Sequence, residues 1–160
     1  MAKYHYRLVS TYEPMEEDRL NREIFPEGTG FVHTEEGELS YTAVFDADKN
    51  EIGRIFTVRP SGYGGPIVVK AGFDSENRVR GVRILEHAET PGLGAKITEN
   101  SFLGQFKNKS GNELYLKKYH SEGTVDAVTG ATISSKAVSD GILKLREKLL
   151  PLPSPSREED

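Results

Sequence analysis

Asp126-Ala127-Val128-Thr129-Gly130-Ala131-Thr132-Ile133-Ser134-Ser135 is the stretch around which this chain is organised. After it, Ile133, Ala137, Val138, Ile142, Leu145 and Leu149 recur at helical spacing and form one apolar stripe. Thr132, Ser134 and Ser135 therefore sit at or just inside a helix N-terminus. That end carries free backbone N–H groups and a partial positive charge, so it can hold a phosphate. Gly130 and Ala131 leave room for a bulky group beside the backbone. Lys144, Arg146 and Lys148 carry the sign expected at the other end. Ordinary capping also explains Asp, Thr and Ser here, and Gly130 suits any turn. On residue types alone, helix cap and anion site both stay open.

Working outward, residues 41–45 and 52–58 are β-rich runs around the turn residues Asp46-Ala47-Asp48-Lys49-Asn50. Residues 67–73 and 79–85 form a second such pair around Asp74-Ser75-Glu76-Asn77. Val79, Val82 and Ile84 alternate imperfectly, which predicts a bulge or burial on both faces. Between the pairs lies Pro60-Ser61-Gly62-Tyr63-Gly64-Gly65-Pro66. It lacks the Lys-Ser/Thr ending of a P-loop and opens no helix. Pro91, Gly92 and Gly94 constrain a further loop, His87 to Lys96. Residues 99–106 read as a short helix with Phe102, Leu103 and Phe106 inward, and 113–119 as a short strand. Residues 13–25 read as a solvated lead-in helix, ended by Pro26-Glu27-Gly28. The fold class is α+β: a twisted antiparallel sheet of hairpins flanked by the helices at Phe102 and Thr132.

The 160 residues fit one domain large enough to bury a core. A net charge of −4 and pI ≈ 5.6 argue against a nucleic-acid binder. No run of about 18 apolar residues is present, and the first residues lack the apolar segment of a signal peptide. With no cysteine, the chain itself offers no disulfide, thiolate nucleophile or iron–sulfur ligand. His5, His33, His87 and His120 lack zinc-site spacing, so no metal site is expected.

The motif Asp-x-x-Thr-Gly-Ala-Thr at 126–132 resembles the flavinylation motif of the FMN-binding domain. That domain occurs in the G subunit of the Rnf electron-transport complex and the C subunit of the sodium-pumping NADH:quinone reductase. Glu89-Thr90-Pro91-Gly92-Leu93-Gly94 matches the second signature of the same family, and Gly62-Tyr63-Gly64-Gly65 a weaker third. The three occur in the family's order, and the likeness runs over about residues 44–149. The continuation to Ala95-Lys96 is closer to the Rnf form. Thr129 stands where many members have Ser, which keeps the hydroxyl.

The resemblance implies FMN attached through a phosphoester to Thr132, installed by a flavin transferase that uses FAD and recognises Asp126. It further implies that Gly130 and Ala131 let the transferase reach that hydroxyl, that the Ser134 and Ser135 hydroxyls help the helix end hold the phosphate, and that Thr129 belongs to the same cofactor site. Tyr63, Glu89, Thr90, Leu93, Gly94 and Lys96 would lie about the flavin. The function implied is electron carriage in a membrane-bound, ion-translocating oxidoreductase, with its other subunits as partners. A soluble stand-alone flavin carrier or flavoenzyme is the alternative, although the chain holds no dinucleotide fingerprint and no catalytic dyad. Family members have a membrane helix ahead of this segment. The expectation is therefore a lead-in of residues 1–27 after a removed anchor, an FMN-binding domain of 28–150, and a disordered Pro/Ser/acidic tail of 151–160. The implied location is the extracytoplasmic side of a prokaryotic cell membrane.

Overall fold

The computed structural model describes residues 14–149. The expected tail of 151–160 and the start of the lead-in lie outside them. Five strands form one sheet in the order β1-β2-β3-β4-β5, every neighbouring pair antiparallel. They are β1 (Gly30–Glu36), β2 (Leu39–Phe45), β3 (Glu51–Val58), β4 (Val68–Asp74) and β5 (Val79–Glu86). Helices α1 (Pro14–Ile24), α2 (Asn100–Leu103) and α3 (Thr132–Leu149) accompany the sheet.

The expected α+β class and both hairpins are therefore present, with β1 as a fifth strand. The Asp46 and Asp74 carboxylates fold the hairpin turns by accepting backbone N–H groups two and four residues on. The imperfect alternation of β5 is resolved by register shifts against β4, which bring Val79, Val82 and Ile84 to one face.

Each face of the sheet has its own cover. Tyr41, Ala43, Phe56, Val69, Ala71 and Phe73 pack with Val138, Ile142 and Leu145 of α3 and with Phe102 and Phe106. Each such fully buried large side chain is worth roughly 1.5–3 kcal/mol. Helix α3 comes close to β3 at Gly141, where a Cβ would lie 3.0 Å from the Pro60 ring. On the other face Ile24 and Phe25 join Val44 and Ile55. Arg80 fixes this end of α1 by a two-pronged ion pair to Glu27 (2.7 and 2.8 Å) and by lying over the Phe25 ring. Solvation thus describes the outer side of the lead-in helix, and its end is core.

Residues 113–119 form no strand. The Ser110 and Glu113 side chains make a capping box that turns Gly111–Leu114 into a 3-10 helix. Leu116 then makes a single parallel bridge to Val125. This bridge delivers the chain to Asp126 beneath α2.

Candidate functional site

Glu89 is the hub of the site. It is only 5% exposed and receives hydrogen bonds from two other segments. The N–H groups of Tyr63 and Gly64 donate to its Oε1 and Oε2 at 3.0 and 2.9 Å. The Ser134 hydroxyl, in the first turn of α3, donates to Oε1. Burial pushes this carboxyl up. The hydrogen bonds from Ser134, Gly64 and Tyr63, aided by His87, outweigh it and hold the group below the usual carboxylate range. Glycines make the space. A Cβ at Gly62 would lie 3.0 Å from Oε1, one at Gly64 3.1 Å from Oε2, and one at Gly94 2.8 Å from the Glu89 Cβ.

Beyond Glu89, the chain turns through Gly92 at φ 81 and returns, with Leu93 and Ala95 both donating to the Thr90 carbonyl. Gly130, at φ 78, faces this loop, and a Cβ there would lie 3.2 Å from the Leu93 side chain. Ser135 is fully buried. It accepts the Val128 N–H (2.9 Å) and donates to the Ala131 carbonyl (2.8 Å), locking the motif onto the start of α3.

Between these pieces opens a cavity of about 540 Å³, lined by Tyr63, Glu89, Thr90, Leu93, Gly94, Gly130, Ala131, Thr132, Ile133 and Ser134. Its size is that of a small-molecule site. Three large apolar side chains stand exposed at it, Tyr63 (72%), Leu93 (48%) and Ile133 (59%), which is how a site for a flat aromatic group is walled. Thr132 is half-buried, and the N–H groups of Thr132, Ile133 and Ser134 precede the first intrahelical bond, which Ser135 donates to the Ala131 carbonyl at 3.0 Å. Apolar walls, a hydroxyl and an open helix N-terminus together fit a flavin ring with a phosphate.

A second cavity, of about 480 Å³, lies beside the motif and is lined by Lys96, Glu99, Ser101, Phe102, Gln105, Asp126, Ala127, Val128 and Thr129. The Gln105 side chain clamps Asp126 at both backbone groups, accepting its N–H at 2.8 Å and donating to its carbonyl at 3.0 Å. The Asp126 carboxylate itself is 69% exposed and meets only Lys117, at 3.2 Å among the described residues.

The structure thus divides the sequence-expected residues. Tyr63, Glu89, Thr90, Leu93, Gly94, Gly130, Ala131, Thr132 and Ser134 share the first cavity, whereas Lys96, Asp126 and Thr129 share the second. Ser135 serves the turn beneath both. Two residues escaped sequence reasoning. Ile133 continues the apolar stripe of α3 in spacing but stands at the cavity mouth. Gln105 carried no signal beyond its place next to Phe106.

The family model for the FMN-binding domain matches residues 62–146, more than half of the chain. The chain belongs to the FMN-binding domain family. The matched span includes every residue of both cavities. Among curated relatives, the G subunit of the proton-translocating ferredoxin:NAD(+) oxidoreductase complex of Clostridium ljungdahlii is 38% identical over 99 residues. That match covers 61% of this chain and 54% of the relative, so the chain spans about half the length of that relative. The G subunit of the ion-translocating oxidoreductase complex of Methanosarcina acetivorans is 35% identical over 130 residues, covering 76% of this chain and 68% of the relative.

Among solved structures, the C subunit of the Na(+)-translocating NADH-quinone reductase from Parabacteroides distasonis superposes with a TM-score of 0.58 at 21% identity, covering 84% of this chain and 81% of that one. NqrC of Shewanella oneidensis gives 0.55 at 24% identity, covering 68% and 55%. These two likenesses establish the α+β fold of the FMN-binding domain. No helix among the described residues is long and apolar enough to cross a membrane.

Proposed function

We propose that this FMN-binding domain carries FMN in phosphoester linkage to Thr132 and serves as an electron-carrying subunit of an Rnf-type, ion-translocating oxidoreductase. The observation that carries the reading is the placement of Thr132, the first residue of α3, in the lining of the cavity edged by Tyr63, Leu93 and Ile133. The bound flavin supplies the redox chemistry. The protein supplies the anchor, the walls that exclude water from part of the ring, and the helix end that stabilises the phosphodiester charge.

In maturation the Thr132 oxygen bonds to the phosphorus joining FMN to AMP in FAD. AMP leaves, and the hydroxyl proton passes to the flavin transferase. Asp126, exposed in the second cavity, is the group that transferase reads. The partners are the transferase and the neighbouring subunits of the complex. The domain, with the end of α1 packed into it, stands on the extracytoplasmic side of a prokaryotic membrane. Lys96 and Thr129 take the edge of the flavin site nearest Asp126.

The test is colour after unfolding. The domain produced with a flavin transferase should stay yellow through denaturation and gel filtration in denaturant, and the Thr132→Ala variant should not. Release of all flavin from the wild type on denaturation would refute covalent attachment.

A further inference from the structure

We propose that Glu89 is a positioning residue of the flavin site: its carboxylate closes the 62–65 turn, the 89–94 loop and the first turn of α3 into one wall, and does so without binding the flavin. The inference rests on the function proposed above and assigns Glu89 a different task from the rest of the cavity. Its two oxygens already accept from Tyr63, Gly64 and Ser134. A Cβ at Gly94 would meet the Glu89 Cβ at 2.8 Å, and one at Gly62 or Gly64 would run into Ile67 or the Ala88 carbonyl while crowding the carboxylate at 3.0 and 3.1 Å. All three partners are donors. The Tyr63 and Gly64 N–H groups can only donate, one to each oxygen, so an amide here would turn its own hydrogens on one of them; only the ionised carboxylate accepts from all three with no hydrogen of its own to place.

The titratable groups around it are few. His87, on the same loop, accepts the Glu89 N–H at Nδ1 (3.1 Å). The Tyr63 phenol, on the 62–65 turn, points to solvent. Lys136, one turn into α3, is held by Asp140 at 2.6 Å and lies over the Tyr119 ring.

The test uses the flavinylated domain as wild type, Glu89→Gln and Ser134→Ala, following the circular dichroism of the flavin band against pH. The wild-type signal should hold at neutral pH and change in acid, as the carboxylate takes up a proton. Ser134→Ala removes one donor, so its change should begin at higher pH. Glu89→Gln should give an altered signal already at neutral pH and lack the acid transition. An acid transition that persists unchanged in Glu89→Gln would count against the proposal. A merely structural role would lower the melting temperature of both variants and leave the midpoint of Ser134→Ala where the wild type has it. That result, or a wild-type flavin signal in Glu89→Gln, would overturn the proposal. Should the wild type take up no flavin, the functional reading falls instead. The Tyr63 and Gly64 amide proton shifts, titrated in the same three proteins, then decide the role of Glu89: they should follow the carboxylate in acid, and amides indifferent to its protonation would overturn it.

Discussion

The 62–65 turn and the first turn of α3 both hold backbone N–H groups outside regular pairing, and in the turn the structure sets a negative charge before them. In the turn it comes from within: Tyr63 and Gly64 donate to Glu89, and the glycines there make room for that side chain. At α3 the first turn borders a cavity that Thr132, Ile133 and Ser134 line. A glycine-rich loop is commonly read as a phosphate cradle. Here the richer loop is already filled by the protein's own carboxylate, and the plainer helix end borders the open cavity. The lesson is to ask where the N–H groups of a glycine loop point before giving them a phosphate.

The largest effect should come from filling the internal nest. A Cβ at Gly64 would run into the Ala88 carbonyl oxygen and crowd Glu89. Gly64→Ala should therefore lose about 3 kcal/mol of stability, the upper end for overpacking, read as a lowered urea midpoint. An unchanged midpoint would mean that the turn yields freely and that the nest is not rigid.

Acid should weaken the same nest. Glu89 is held below its ordinary value in the folded protein, so its contribution is full above the unfolded carboxylate value and is lost as pH falls through the folded one. The difference in urea midpoint between wild type and Glu89→Gln should be widest near neutrality and shrink in acid. A gap that stays constant with pH would contradict an ionised Glu89.

How much of this was legible beforehand follows from where the interactions reach. The hairpins and α3 are written in short-range pattern, namely Asp-led turns, alternation and the stripe from Ala137 to Leu149. Strand β1 hides because its second half, His33-Thr34-Glu35-Glu36, is polar, as an edge strand can be. The inward end of α1 was hidden by distance. Ile24 and Phe25 lie over Gly53 and Gly72, glycines on strands far along the chain that leave space for them. Residues 113–119 alternate like a strand, yet a local capping box won. In the site, the motif was legible through resemblance, whereas the role of Glu89 rests on partners 25, 26 and 45 residues away. No local pattern encodes such contacts.

The smallest stability effect should come from the second cavity. Gln105→Leu removes both hydrogen bonds to the Asp126 backbone, on a partly exposed surface where water can replace them. A loss of about 1 kcal/mol is expected, together with slower flavinylation, because the motif is held less firmly. Normal flavinylation at reduced stability would confine Gln105 to folding.

Which hydroxyl takes the flavin separates the two N–H sites most directly. Intact mass, measured after production with a flavin transferase, should exceed the sequence mass by one FMN less one water in the wild type and in Thr129→Ala. It should equal the sequence mass in Thr132→Ala. An FMN increment that survives Thr132→Ala, or that maps to a peptide modified at Thr129 or Ser134, would contradict the assignment of the α3 N-terminus as the flavin anchor.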